Sequence, residues 1–290
     1  NYFDMTTSFF VSDLHGSVGR YETLFQQIIK RKPSFVFLGG DLLPHVRKSE
    51  KIGNKPIADF ITDYLIPGFR MVQKQLGCNY PDVFVIMGND DHRDEEAKLM
   101  EGEKKELWKY LNNTKYKFGP YMFYGYPFVP PTPFQLKDWE KYDVSRYVDP
   151  GSIPPDEGYR SVEPDYDTAY STIQCDLEML TKDESMEKAV FLFHSPPYKS
   201  YLDRAGLDGR MVDHVPLDVH VGSIAIQRFI EHKQPYITLH GHIHESASIT
   251  GFYKQEFGRT RSFSAAHNGP ELALVVFKLD DPTQVERELI

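Results

Sequence analysis

The sequence predicts an α/β protein in which two mixed β-sheets pack face to face with helices outside. Three observations predict it. Apolar runs of strand length recur at residues 8–12, 34–38, 83–87, 189–193 and 236–239. The first three alternate with stretches of helical apolar spacing, an order that implies a mainly parallel sheet with right-handed crossovers. The tail after residue 246 reads as further strands of antiparallel type.

The elements follow in chain order. Residues 20–32 carry Leu24, Phe25, Ile28 and Ile29 on one helical stripe. Residues 56–76 are predicted helical with an interruption at Pro67-Gly68, and residues 94–111 form a charged helix with Leu99, Leu107 and Leu111 inward. Residues 119–170 differ: Pro127, Pro130, Pro131, Pro133, Pro150, Pro154, Pro155 and Pro164 stand among Tyr, Phe and Trp139. That composition reads as a long irregular loop, either an ordered flap or a packed surface excursion. Helices are expected over 172–180 and 222–233, and antiparallel strands over 247–252, 261–264 and 271–278. No linker separates two folding units. One domain is expected over residues 5–290, with the irregular insertion at about 119–170.

Composition narrows the function. Of 290 residues, 40 % are hydrophobic and 26 % charged, a balance that rules out disorder as the whole answer. No stretch approaches the roughly 20 apolar residues of a membrane span. Lys plus Arg is 33 against 42 for Asp plus Glu, a net charge of −9. A coat for long nucleic acid would be basic, so that partner is disfavoured, whereas a small phosphate ester is not. Cys78 and Cys175 are too few for a disulfide scaffold, which points to a cytoplasmic protein with reduced thiols. No signal peptide is visible, and Met5 is expected to be the natural start.

Five strand ends carry metal-binding residue types: Asp13-Leu14-His15, Gly40-Asp41, Gly88-Asn89-Asp90-Asp91-His92, His194 in His-Ser-Pro-Pro-Tyr, and Gly241-His242-Ile243-His244. A lone Asp at a strand end is ordinarily a cap, and a lone buried His ordinarily a core residue. All five together at the carboxyl ends of strands, where α/β proteins build their sites, point to one centre. This ordered set resembles the calcineurin-like metallophosphoesterase superfamily, from Asp13 to His244 and so over nearly the whole chain. The resemblance implies a four-layer αββα fold, two packed mixed sheets flanked by helices. It also implies two divalent metal ions, one held by Asp13, His15 and His244, the other by Asn89, His194 and His242, with Asp41 bridging. Such mixed carboxylate, amide and imidazole donors suit Mn, Fe, Zn or Co, with Mn the expected choice in vitro. Between the ions a water becomes a hydroxide nucleophile that attacks phosphorus in line.

The sequence departs from the superfamily at one block. Gly-Asn-His is usual, and that His helps to protonate the leaving group. Here Asp90 follows Asn89, which leaves Asp90 or His92 as acid candidates. Members lacking this His are often diesterases. The expected activity is therefore a metal-dependent phosphodiesterase acting on a small phosphate ester. A phosphomonoesterase with the same centre is the runner-up, and a non-catalytic binding module or a nuclease stands behind it. Arg93 and Tyr198 are candidate substrate contacts. Oligomeric state is not legible.

Overall fold

A computed structural model describes residues 7–45, 51–52 and 55–290; Met5 lies outside the described residues. The first half runs β1 (Thr7–Val11), α1 (Val18–Arg31), β2 (Phe35–Gly39), a ribbon of β3 (Lys51–Ile52) and β4 (Lys55–Pro56), α2 (Ile66–Leu76), β5 (Asp82–Ile86), α3 (Glu96–Lys104), β6 (Lys109–Tyr110), β7 (Thr114–Phe118) and β8 (Tyr121–Tyr126). The second half runs α4 (Ile173–Leu180), β9 (Ala189–Phe193), a ribbon of β10 (Met211–Val212) and β11 (Val215–Pro216), α5 (Ile224–Lys233), β12 (Ile237–His240), α6 (Ser246–Thr250), β13 (Lys254–Phe257), β14 (Thr260–Ser264), β15 (Ala273–Lys278) and β16 (Val285–Leu289).

Two six-stranded mixed sheets result, in the orders β16-β15-β1-β2-β5-β6 and β13-β14-β12-β9-β8-β7. In the first, β1, β2, β5 and β6 are parallel and β15 runs against β1. In the second, β8, β9, β12 and β14 are parallel, with β7 and β13 antiparallel at the edges. The α/β class and the packed pair of mixed sheets are as the sequence predicts.

Alternation along the strands builds the layers, because successive side chains point to opposite faces. Phe10, Phe37, Phe84 and Ile86 of the first sheet join Phe123, Val190, Leu192 and Leu239 of the second in one buried cluster. Phe84 and Phe123 have ring centroids 4.6 Å apart, and Phe263 and Phe277 close the same layer at 5.5 Å. The intervening residues Phe9, Val11, Val36, Leu38, Val83 and Val85 face outward and pack with Leu24, Phe25 and Ile28 of α1. On the other sheet Phe191 meets Phe229 of α5 at 4.8 Å.

Five expectations change. The helix expected over 56–76 begins later, with one wide turn over Ile61–Leu65, and runs through Pro67 without a break. The turn before it is wide, with the Ile66 N–H reaching back to the Ile61 carbonyl, and Pro67 stands at the junction of that turn with α2, where the backbone ladder already changes step. Gly68 lets α1 approach, since a Cβ there would lie 2.5 Å from the Phe25 ring. The helix over 94–111 is shorter: α3 ends at Lys104, and Leu107 and Leu111 are buried beyond it. Residues 121–126 are not loop but the buried strand β8, which pairs along its length with β9. Residues 247–252 are not a strand; α6 covers 246–250, with the Ser246 hydroxyl donating to the Tyr201 carbonyl at 2.7 Å. Finally, β14 is antiparallel to β13 but parallel to β12.

The irregular segment therefore covers about 127–172. Isolated bridges such as Val129–Glu140 and Leu136–Tyr159 are all the ladder pairing it has among the described residues. Buried polar side chains hold it instead. Lys137 and Glu140, both fully buried, meet at 2.6 Å, and the Thr132 hydroxyl and N–H donate to Glu140 at 2.5 and 2.8 Å. No helix among the described residues is long and apolar enough to cross a membrane.

Candidate metal centre

The carboxyl ends of β1, β2, β5, β9 and β12 open onto one spot. There the loops after β1 and β2 continue side by side: the N–H groups of Asp13, His15 and Gly16 donate to the carbonyls of Gly40, Asp41 and Leu42 at 3.0, 2.8 and 2.9 Å. This zipper holds Asp13, His15 and Asp41 at φ of 55°, 45° and 51°, and His242 sits at 73°. Non-glycine residues in that region store strain, which surrounding bonds must outweigh, and such strain concentrates at functional sites.

The structure brings all seven predicted ligands together. Donor atoms of Asp13, His15, Asp41 and His244 lie within 4.8 Å of one another, as do those of Asp41, His194 and His242. Asp41 belongs to both groups. Asn89 joins the second, its Oδ1 3.0 Å from His194 Nε2. His15 Nε2 and His244 Nε2 point at each other across 3.1 Å, and His194 Nε2 lies 3.3 Å from Asp41 Oδ2.

The neighbours aim these donors. Ser12 donates to Asp13 Oδ2 at 2.5 Å, and the His242 N–H reaches Asp13 Oδ1 at 3.0 Å. The Asp90 N–H donates to Asp41 Oδ1 at 2.8 Å. His194 Nδ1 faces the Gly39 carbonyl at 2.8 Å, so it carries the proton and leaves Nε2 for a cation. Gly88 has no alternative here: a Cβ would lie 2.3 Å from Asp41 Oδ1 and 2.7 Å from His194 Cε1.

The electrostatics test whether a cation fits. Burial pushes the Asp13 carboxyl up, but the hydrogen bond and charge of His244 outweigh it and hold the pKa at about 2. Burial opposes Asp41 likewise, yet His194 and His15 keep it well below the usual carboxylate range. Burial lowers His194 and His244, but Asp41 raises the first to about 10 and Asp13 the second to about 9. His242 drops to about 3, through burial and the charge of His194. Two ionised carboxylates thus draw protons onto two imidazoles. That is a demand for positive charge deep in the protein, which divalent cations meet while releasing those protons. Oxygen and imidazole donors suit borderline divalent ions, so the residues fit the group.

Other sequence candidates fall differently. Asp90 lines the cavity above the cluster together with Asp41 and Asn89, and its Oδ2 is 3.9 Å from His15 Nδ1. Burial beside Asp41 raises its pKa to about 7. His92 is turned into a neighbouring hollow, its ring 6.4 Å from Tyr159, and none of its contacts reaches the cluster. Arg93 is not brought to the cavity. Its guanidinium pairs with Glu96 through Nε at 3.3 Å and with Asp165 through Nη2 at 3.6 Å, and lies over Trp139 at 5.3 Å. Tyr198 does line the cavity. His240 is fully buried and bonded at both nitrogens, to the Ser195 carbonyl and the Thr238 hydroxyl.

Three supporting residues escaped the sequence reading. Asp91 is fully buried and accepts from the N–H groups of Leu42, Leu43 and Gly88 at 3.0, 2.8 and 2.9 Å, tying the Asp41 loop to the Asn89 loop. Trp139 Nε1 donates to the Asp91 carbonyl at 2.8 Å. Arg20 reaches the Asp13 carbonyl at 2.7 Å and bonds the Gly269 carbonyl. A carboxylate inside a ligand block, as at Asp91, was the one available signal.

A cavity of about 650 Å³ adjoins the cluster, walled by the segments around 130–150 and 198–224.

Residues 7–246 match the sequence pattern described as calcineurin-like phosphoesterase. No curated protein matches the chain. Among solved structures, the protein TT1561 of Thermus thermophilus superposes with a TM-score of 0.58 at 15% identity, covering 98% of this chain and 99% of that one. A second crystal structure gives 0.59 at 14% identity over 98% of each chain. A dimetal phosphatase from Danio rerio gives 0.48 at 12% identity, over 94% of this chain and 92% of that one.

Proposed function

With the chain belonging to the calcineurin-like phosphoesterase family, whose members hydrolyse phosphoric esters, we propose that it cleaves a phosphodiester at a centre of two divalent cations. The observation that carries this is the convergence of seven donors with Asp41 common to both groups. Asp13, His15 and His244 would hold one cation, Asn89, His194 and His242 the other, and Asp41 both. The pair would supply Lewis acidity toward the phosphoryl oxygens and lower the pKa of water.

The chain's own residues do the rest. Asp41 presents an ionised carboxylate aimed by the Asp90 N–H, and Gly39 fixes the His194 tautomer. Asp90 is the better placed of the two acid candidates, because it shares the cavity with the cluster and His92 does not. What supports a diester is that Asp90 stands where the family's usual histidine would help the leaving group. Mn is the cation to load first. Cys78 and Cys175 are both free and exposed, which supports a cytoplasmic setting. The inter-sheet core shared by both halves supports one domain.

A paired assay tests the activity. Mn-loaded protein is given bis(p-nitrophenyl) phosphate and p-nitrophenyl phosphate, with Asp41→Asn as the blank. Faster diester cleavage is expected; faster monoester cleavage overturns the diesterase assignment and promotes the phosphatase.

A further inference from the structure

We propose that the cavity beside the cluster receives the second ester arm of the substrate, and that this arm is apolar and carries no negative charge. The inference rests on the phosphodiesterase reading and adds the chemical class of the arm. The cavity floor includes Asp41, Asn89, His242 and His244, so a phosphoryl group at the cluster projects its substituent into this space. At about 650 Å³ it suits an organic group of aryl or larger size.

The wall decides the chemistry. Pro130, Pro133, Leu207, Leu217, Val221 and Ile224 supply an aliphatic surface, and Phe134, Tyr147 and Tyr198 add aromatic faces. No Lys or Arg belongs to the wall among the described residues. The nearest lysine in sequence, Lys199, lies outside it, with Nζ 5.2 Å from the Tyr198 ring centroid. The acidic groups that line it are Asp143, Asp149, Asp218 and Glu245 on the wall and Asp41 and Asp90 at the floor. Asp143 is taken by the Ser223 hydroxyl at 2.5 Å and the Ile224 N–H at 2.6 Å. Asp218 is taken by the Tyr198 hydroxyl at 2.6 Å and the His220 N–H at 2.9 Å. Asp149 is exposed at the rim.

His220 is the polar fixture of the wall. Its Nδ1 is held at 2.7 Å by Asp203, which is fully buried and also accepts from the Lys199, Ser200 and Gly222 N–H groups. That nitrogen is therefore engaged by a buried carboxylate and turned away from an incoming anion. A second phosphate, sulfate or carboxylate on the arm would enter a mostly apolar cavity whose wall has carboxylates and no Lys or Arg to meet it, which is costly. The one anionic group the site accepts is the phosphoryl at the cluster.

Two diesters with a common p-nitrophenyl leaving group test this: p-nitrophenyl phenyl phosphate and p-nitrophenyl 4-carboxyphenyl phosphate. They differ by one carboxylate on the retained arm. The phenyl ester is expected to have kcat/KM higher by at least about tenfold, mostly through KM. Leu217→Arg, and independently Leu207→Arg, should shrink or invert that ratio. Equal kcat/KM for the two esters, or a preference for the carboxylate, overturns the inference. Calorimetric binding of phenylphosphonate and 4-carboxyphenylphosphonate reads the same preference without turnover. If neither ester is cleaved, the diesterase reading fails, and the calorimetric ratio alone decides the arm.

Discussion

The donor loops and the 127–172 segment stand against each other across one cavity and are stabilised by opposite means. The donor loops are short and backbone-bound. Five strands deliver them, and N–H to carbonyl bonds between the Asp13 and Asp41 loops hold three ligand residues at positive φ. The 127–172 segment has few ladder bonds and is held by side chains: Lys137 with Glu140, Asp138 with the Arg93 and Ser161 N–H groups at 2.8 Å, and Lys141 with Asp176 at 2.7 Å. The contrast teaches where precision resides. The seven candidate donors borrow rigidity mainly from the sheets, with Trp139 of the 127–172 segment adding one bond to the Asp91 carbonyl. That segment, the cap, borrows its shape from buried charges, each of which needs its partner.

The largest effect is expected from breaking the donor side at its shared residue. Asp41→Asn should lower kcat by at least about a thousandfold, because several kcal/mol of charge stabilisation passes through that carboxylate. The fold should persist by circular dichroism, since the two loops stay zipped by backbone bonds. Retained activity would show that Asp41 does not join the two donor groups.

The cap should break through its ion pair. Glu140→Gln leaves a fully buried Lys137 ammonium without its counter-charge and should cost about 3–5 kcal/mol in chemical denaturation. Replacing the pair together, Lys137→Met with Glu140→Leu, should recover most of that loss. A single variant as stable as the parent would mean that the pair does not hold the segment.

The smallest effect sharpens the boundary between the two regions. His92→Ala should leave kcat and KM within about twofold, because its ring packs toward Tyr159 and away from the cluster. A large loss of kcat with unchanged stability would return His92 to the reaction.

How far the site was legible follows from the same division. The seven donors could be read because each stands in a short block beside a strand end, and the donor-bearing parallel strands of both sheets end on one side. Asp91 was read only as a neighbour of Asp90, although it ties two loops through three backbone N–H groups; those partners are 48 or more residues away in Leu42 and Leu43. Arg93 and His92 were read by nearness to Asn89 in sequence, but the turn that begins α3 carries both away from the cavity.

By itself the sequence determined the layered α/β class and placed the candidate donors at strand ends, because both depend on local pattern; which of Phe9, Phe10 and Val11 faces which layer was left to the structure. Only the tertiary structure decided that Tyr121–Tyr126 is a strand paired on both sides, that residues 246–250 coil around the Tyr201 carbonyl, and that a proline-rich stretch packs by buried side chains. Those outcomes rest on partners far along the chain, β9 for β8, Tyr201 for α6 and the buried Lys137–Glu140 pair for the cap. A local pattern of aromatics and prolines holds no information about which distant groups will meet it.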